Sequence, residues 1–254
     1  YVSLSACDAL QAKVCLSLKD YTNAAAYADK VITKSNFALS TTSVEYAQAF
    51  VSNSSSKELV FALANKRSTS LLLFYQTVND IDPTWDYSPS TECYSHLYDD
   101  TAVKSKDIRA KAVFGADNSR IIKFPNGSTG QFVTNEQPSQ TPIVVTRVAE
   151  MYLIKAEALG AVNGLATLKE FMNKRYATVL LPSNMTDIEF QNQILDERHR
   201  ELYAEGQRWY DLKRTNRLDL FSSLNGRNYL MYYPVPQSER DLAGEENYPQ
   251  NEGY

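Results

Sequence analysis

Three glutamates, Glu197, Glu201 and Glu205, recur at steps of four in the stretch ILDERHRELYAEGQRWYDLKR, which runs from Ile194 to Arg214. On a helix that spacing stacks three carboxylates along one face. The chemistry to weigh is an acid/base pair or a metal site. A glycosidase needs two carboxyls facing each other across a bond, roughly 5 to 9 Å apart. Carboxylates on one helix face point the same way and do not straddle a substrate. A zinc protease helix needs His at both ends of its motif. Here His199 stands alone in HRE, and His96 is the only other histidine in the chain. The stretch therefore reads as scaffold. Stacked like charges repel mildly, so they call for cations from Arg198, Arg200, Arg208 and neighbouring helices.

A second set of residues suits ligand binding. The stretch FYQTVNDIDPTWDYSPSTECY (74–94) interleaves Tyr75, Trp85, Tyr87 and Tyr94 with Asn79, Asp80, Asp82 and Asp86, and Pro83 and Pro89 stiffen it. Aromatic faces stack on sugar C–H surfaces, and carboxylates and amides bond hydroxyls on a mostly preformed surface. The expected glycan-binding residues are Trp85, Tyr87, Asp82, Tyr75, Asn79 and Tyr94. No spacing there matches a calcium loop, and no cofactor or metal is called for.

The elements that must position these groups are mostly helical. Ala6, Ala9, Leu10, Val14 and Leu18 follow helical spacing in one segment, and Ala24, Ala25, Ala28, Val31 and Ile32 in the next. Ala12 and Ala24 suit a tightly packed antiparallel hairpin of tetratricopeptide style. From about 41 to 145 the texture turns to long loops with short runs such as ELVFAL (58–63) and RIIKF (120–124). Long loops inside a compact domain are usually functional. A second hairpin begins at Arg147. Val148, Tyr152, Ala156 and Leu159 form one face of it, and Leu165, Leu168, Met172 and Tyr176 the other, with the joint expected near Asn163-Gly164. Thr186 and Glu189 form a capping box. It is expected to open one helix through Arg214, with Ile188, Leu195, Leu202 and Trp209 as its buried stripe, the glutamates opposite Leu195, and Gly206 on the apolar face. Beyond Arg217 the chain is irregular, with a strand-like run YLMYYPVP.

The composition is 43% apolar with a net charge of -4. There is no basic excess to suggest nucleic acid, and no apolar run long enough to cross a bilayer. Cys7, Cys15 and Cys93 are an odd count, which argues against a disulfide framework. Cys7 and Cys15 stand about 12 Å apart along a helix, too far to bridge, and read as small buried hydrophobes. The 17 tyrosines suit half-exposed surfaces. The chain opens YVSLSACDAL without Met or signal peptide, so its natural start is expected upstream.

RVAEMYLIKAEAL, NKRYA, ERHRELYAEGQRWYDLKR, YYPVPQSE and the terminal QNEGY, in that order, resemble the C-terminal half of the SusD/RagB family of outer-membrane nutrient-binding lipoproteins. SACDALQAKVCLSLKDYTNAAAYADKVI resembles the helix pair preceding it. DIRAKAVF resembles the family's D-x-R element, and IIKFP the strand after it. The resemblance implies a mainly α fold of tetratricopeptide-like helix hairpins, an α-α superhelix carrying a loop-rich ligand region and a few short strands. It also implies no catalytic activity, and a surface-exposed location on the cell outer membrane through a lipidated N-terminus. The implied partners are an oligosaccharide or polysaccharide and a SusC-like TonB-dependent transporter. Family members are about twice this length, so the chain is expected to be one N-terminally incomplete domain. Within it, 1–40 is a helix hairpin, 41–145 the ligand region, 146–220 helical scaffold and 221–254 an irregular segment. Two alternatives remain. One is a tetratricopeptide scaffold gripping peptide in a groove lined by Asn23 and Lys30. The other is a glycoside hydrolase using Asp82 and Glu201.

Overall fold

The computed structural model describes residues 2–51, 55–64, 89–98, 106–115, 121–124, 142–179, 181–221 and 224–254. Among the described residues the fold is mainly helical with one two-stranded sheet. Two compact units, Tyr1–Glu205 and Gly206–Tyr254, make up the chain.

Helices α1 (Leu4–Ser17) and α2 (Tyr21–Ile32) form the first hairpin. Each starts on a side-chain cap that satisfies an orphan amide. Ser3 Oγ accepts from the Ala6 amide at 3.1 Å, and Asp20 Oδ1 from the Asn23 amide at 3.2 Å. Ala9, Ala12, Ala24 and Ala28 are buried, so the two backbones approach closely. Met151 and Ile154 complete that core. The buried face of α1 is Ala6, Ala9, Ala12 and Leu16. Leu10, Val14 and Leu18, which share the helical spacing, are exposed. Both sides of α1 carry apolar residues, so periodicity could not say which one packs. Cys7 is exposed and Cys15 half-buried, so neither is the buried hydrophobe expected; Cys7, Cys15 and Cys93 are free thiols.

Helix α3 (Ser43–Gln48) is capped by Thr42. Strands β1 (Leu59–Leu63) and β2 (Ile143–Arg147) pair antiparallel, with Leu59 opposite Arg147. Between them in sequence lie α4 (Thr91–Tyr98) and α5 (Ile108–Val113). Within RIIKF, Ile121 makes a single bridge to Phe114 rather than a strand.

Strand β2 runs straight into α6 (Val148–Arg175), whose two arms meet at Gly160 with φ 70° and ψ 178°. The joint was expected near Asn163-Gly164. A left-handed φ suits glycine, and Gly160 supplies it. Gly164 instead allows close packing: a Cβ there would stand 2.0 Å from the Ala156 carbonyl oxygen and 3.0 Å from the Phe190 ring. Helix α7 (Asp187–Glu201) opens on the Thr186–Glu189 capping box and packs on α6 through Phe190 and Ile194.

The long helix expected through Arg214 is broken. Helix α7 ends at Glu201, and α8 (Arg208–Arg214) begins after a turn in which Ala204 and Gly206 have φ of 60° and 77°. The seven-residue stripe fails with it. Leu195 and Leu202 are buried, but Ile188 is 72% exposed. Trp209 is half-buried and packs edge-on against Phe221. Gly206 has open space around its Cα, not an approaching backbone.

In the second unit, YLMYYPVP holds a 3-10 turn (Asn228–Met231) rather than a strand, and α9 (Gln237–Ala243) follows. Val235 is held at both backbone groups by the Gln250 side chain, at 2.7 and 3.1 Å.

Candidate functional site

Glu197 and Glu201 do not face solvent opposite Leu195. Both are fully buried. Their cations come from distant segments. Arg109 lies at the start of α5, where Asp107 caps the helix and accepts from the Arg109 amide at 2.8 Å and from its Nε at 3.0 Å. Arg109 Nη2 reaches Glu197 Oε2 at 2.8 Å and the Tyr176 hydroxyl at 2.7 Å, and Nη1 reaches Glu201 Oε2 at 3.3 Å. Arg147 closes β2, and Glu58 stands just before β1, so the sheet end sets them side by side at 2.9 Å. Arg147 also pairs with Glu201 and, at 2.6 Å, with Glu205. Arg175, at the end of α6, meets Glu58 at 2.7 Å and Glu201 at 2.9 Å. Arg200 joins Glu197 at 2.8 Å.

The same cations end α7. The last carbonyls of a helix lack intrahelical partners. Here the Glu201 carbonyl accepts from Tyr46 Oη, Lys123 Nζ and Arg147 Nη2, each at 2.9 Å. Lys123 also bonds the Tyr203 carbonyl and Glu205 Oε1. Charge at a helix C-terminus of this sign is favourable. The helix therefore stops at Glu201, and Glu205 turns toward Arg147 and Lys123 from outside it.

Among the described residues, Arg109, Lys123, Arg147, Arg175 and Arg200 balance Glu58, Asp107, Glu197, Glu201 and Glu205. A lattice neutral as a whole can be buried where a lone charge cannot. Burial alone would raise the Glu201 carboxyl; Arg175, Arg147 and Arg109 outweigh it and hold it well below the usual range. The same contest holds Glu197 down through Arg109 and Arg200, and Glu205 through Arg147 and Lys123. None of the three carboxylates carries a proton to donate at neutral pH. Their arrangement joins six segments rather than opening onto a substrate.

Tyr94, the one expected glycan-binding residue among those described, lies on α4. Its half-buried ring packs edge-on against Phe114 at 5.2 Å and tilted against Tyr98 at 5.7 Å. Tyr75, Asn79, Asp82, Trp85 and Tyr87 lie outside the described residues. Helix α4, whose first turn ends that stretch, docks on α7. His96 Nε2 meets Asp196 at 2.9 Å, Cys93 Sγ stands 3.6 Å from His199 Nε2, and Arg200 Nε donates to the Leu97 carbonyl at 3.0 Å. None of these contacts was read from the sequence; the single signal was the pairing of opposite residue types on two segments of unassigned register. Among the described residues no group of three His, Cys, Asp or Glu is placed to hold a metal ion. Asn23 and Lys30, the alternative peptide-groove residues, are engaged locally. Asn23 Nδ2 donates to Asp20 at 2.7 Å, and the Lys30 ammonium lies 4.4 Å from the Tyr27 ring centre.

The D-x-R segment, every lattice residue but Glu58, and both α7 and α8 fall within residues 105–229, which match the SusD family model. Over these residues, about half of its length, the chain is similar to the SusD family. Starch-binding protein SusD of Bacteroides thetaiotaomicron is 33% identical over 173 residues, 62% of this chain and 30% of that protein. A SusD superfamily protein of B. thetaiotaomicron superposes with a TM-score of 0.74 at 22% identity, over 99% of this chain and 61% of that one. Surface glycan-binding protein A of B. thetaiotaomicron superposes with a TM-score of 0.66 at 20% identity, over 99% of this chain and 64% of that one. The chain thus spans under a third of the starch-binding relative and about three fifths of the solved ones.

Proposed function

We propose that this chain binds oligosaccharide at the cell surface without hydrolysing it, and that it belongs to a nutrient-capture protein. The observation that carries the reading is the 33% identity with a starch-binding protein over 62% of the chain. The ion-pair lattice supports the non-catalytic part. Its carboxylates are buried, ionised and paired, so the conspicuous glutamate series has no general acid to offer.

Glycan contact falls to residues 74–94. Trp85, Tyr87, Tyr75 and Tyr94 supply aromatic faces, and Asp82 and Asn79 supply hydroxyl partners. The captured sugar passes to a SusC-like TonB-dependent transporter, with the protein held at the outer membrane as a lipoprotein. Native affinity electrophoresis of the full chain against soluble polysaccharides tests this. Retardation by one glycan class, with the chain length of that glycan unchanged after long incubation, supports it. Shortened glycan would overturn the non-catalytic reading, and no retardation by any glycan would overturn the choice of ligand.

A further inference from the structure

Helix α4 brings a thiol to an imidazole on α7. Cys93 Sγ stands 3.6 Å from His199 Nε2 and 4.0 Å from the Tyr203 hydroxyl. The His199 and Tyr203 rings stack at 5.7 Å with 19° between their planes, and Tyr203 packs in turn against Phe114 at 4.8 Å. Phe114 belongs to a buried aromatic cluster, so the imidazole that meets the sulfur is braced from the core. Cys93 and His199 are each half-buried, neither sealed in nor fully open. Cys93 is the third residue of α4, and its amide donates to Ser90 Oγ at 3.1 Å. The sulfur therefore leaves the chain in the first turn of a helix, where the positive end of the dipole favours a thiolate.

A nucleophile with a base in hydrogen-bond reach, the base oriented by a third group, is the arrangement of an activated side chain. With its proton on Nδ1, His199 accepts from the thiol at Nε2. The nearby carboxylate of Asp196, on the same helix, is engaged by His96 at 2.9 Å. Two ligands do not make a metal site, and among the described residues no third His, Cys, Asp or Glu joins them. The pair therefore suits covalent chemistry at sulfur. Acyl transfer would also need donors aimed at an oxyanion. Exchange with a disulfide needs only a thiolate and a proton for the departing sulfur, which Cys93 and His199 supply between them. Cys7 and Cys15 lie on α1, whereas the two histidines of the chain lie on α4 and α7.

We propose that Cys93 is a modification site that forms a mixed disulfide with small disulfides, with His199 as its base. His199 Nε2 takes the proton from Sγ as the sulfur attacks one sulfur of R–S–S–R. A new S–S bond forms to Cys93, and the original S–S bond breaks with its electron pair on the departing thiolate. That thiolate takes the proton from the imidazolium and leaves as R–SH. The inference does not rest on glycan binding. The test treats the reduced full chain at pH 7 with the small neutral disulfide dithiodipyridine and follows release of thiopyridone. Cys7→Ser, Cys15→Ser and Cys93→Ser assign the phases. Cys93 is expected to react first, ahead of Cys7, although Cys7 is the more exposed. His199→Phe keeps a ring against Tyr203 and removes the nitrogen. It is expected to slow Cys93 by at least about tenfold and to leave Cys7 and Cys15 at their parent rates. The proposal is overturned if Cys7 outruns Cys93 in the parent chain, or if Cys93 keeps its rate in His199→Phe. Should that variant disturb the fold, seen as a faster Cys15, the ranking of the three thiols in the parent still decides.

Discussion

Glu201 and Arg175 form a two-point pair in which neither side chain has exposed surface: Nε lies 2.9 Å from Oε2 and Nη2 lies 3.1 Å from Oε1. The two residues stand on different helices, and Arg109 and Arg147 complete the environment of the same carboxylate. A carboxylate held this way is a joint between helices. It explains why a helix with so many charges sits inside the molecule.

Removing one member of a buried pair leaves its partners charged and unmatched, at a cost of about 3–5 kcal/mol. Glu201→Gln and Arg175→Met are each expected to lose stability in that range, read from urea unfolding midpoints. Exposed Asp187, one position into α7, is the control, with a loss below about 0.5 kcal/mol for Asp187→Asn.

The lattice sets an acid limit. Glu197, Glu201 and Glu205 have carboxyls held below the usual range in the folded chain. In the unfolded chain they titrate near the ordinary value of about 4.3. The stability they lend is complete above that value and drains away as pH falls through their folded values. Unfolding midpoints taken from pH 7 downward should hold steady and then fall below about pH 4. A midpoint insensitive to acid would contradict the pairing.

Lys123 responds in the opposite direction. Burial, aided by Arg147, pushes its ammonium down to about 8 against the pull of Glu205. Between about 8 and the ordinary 10.5 the unfolded chain keeps a proton that the folded chain has lost. Stability contributed by this group therefore rises with pH across that window. Compared with Lys123→Met, the parent chain should gain stability from pH 8 to pH 10 in paired urea titrations.

Two glycines in α6 should separate by mechanism. Gly164→Ala places a methyl against the Ala156 carbonyl and the Phe190 ring, where overpacking costs about 1–3 kcal/mol. Gly160→Ala meets no atom within 4 Å, and its loss, about 1 kcal/mol, comes from the left-handed φ. Melting temperatures should rank Gly164→Ala below Gly160→Ala.

Local signals in the sequence were legible. The Thr186–Glu189 box and the alanine-rich hairpin each rest on residues a few positions apart, and each formed. The scaffold role of the glutamates was also legible, because same-face carboxylates cannot straddle a bond. Their partners were not. Arg109, Arg147 and Arg175 lie 92, 54 and 26 positions from Glu201, and charge pairing at such separations leaves no periodic mark. The break after Glu201 was hidden for the same reason. It depends on Tyr46, Lys123 and Arg147 capturing one carbonyl, while the local sequence kept a helical pattern to Arg214. The ligand residues at 74–94 were chosen by their types alone. Tyr94 is now seen to share its ring with Phe114 and Tyr98.

The central claim is that the charged helix is structural and that glycan contact lies in residues 74–94. The most direct test is affinity electrophoresis of Trp85→Ala beside the parent chain, in gels containing the polysaccharide that retards the parent. The account predicts that the variant migrates as in a gel without polysaccharide, with its melting temperature unchanged. Retardation equal to that of the parent would contradict it.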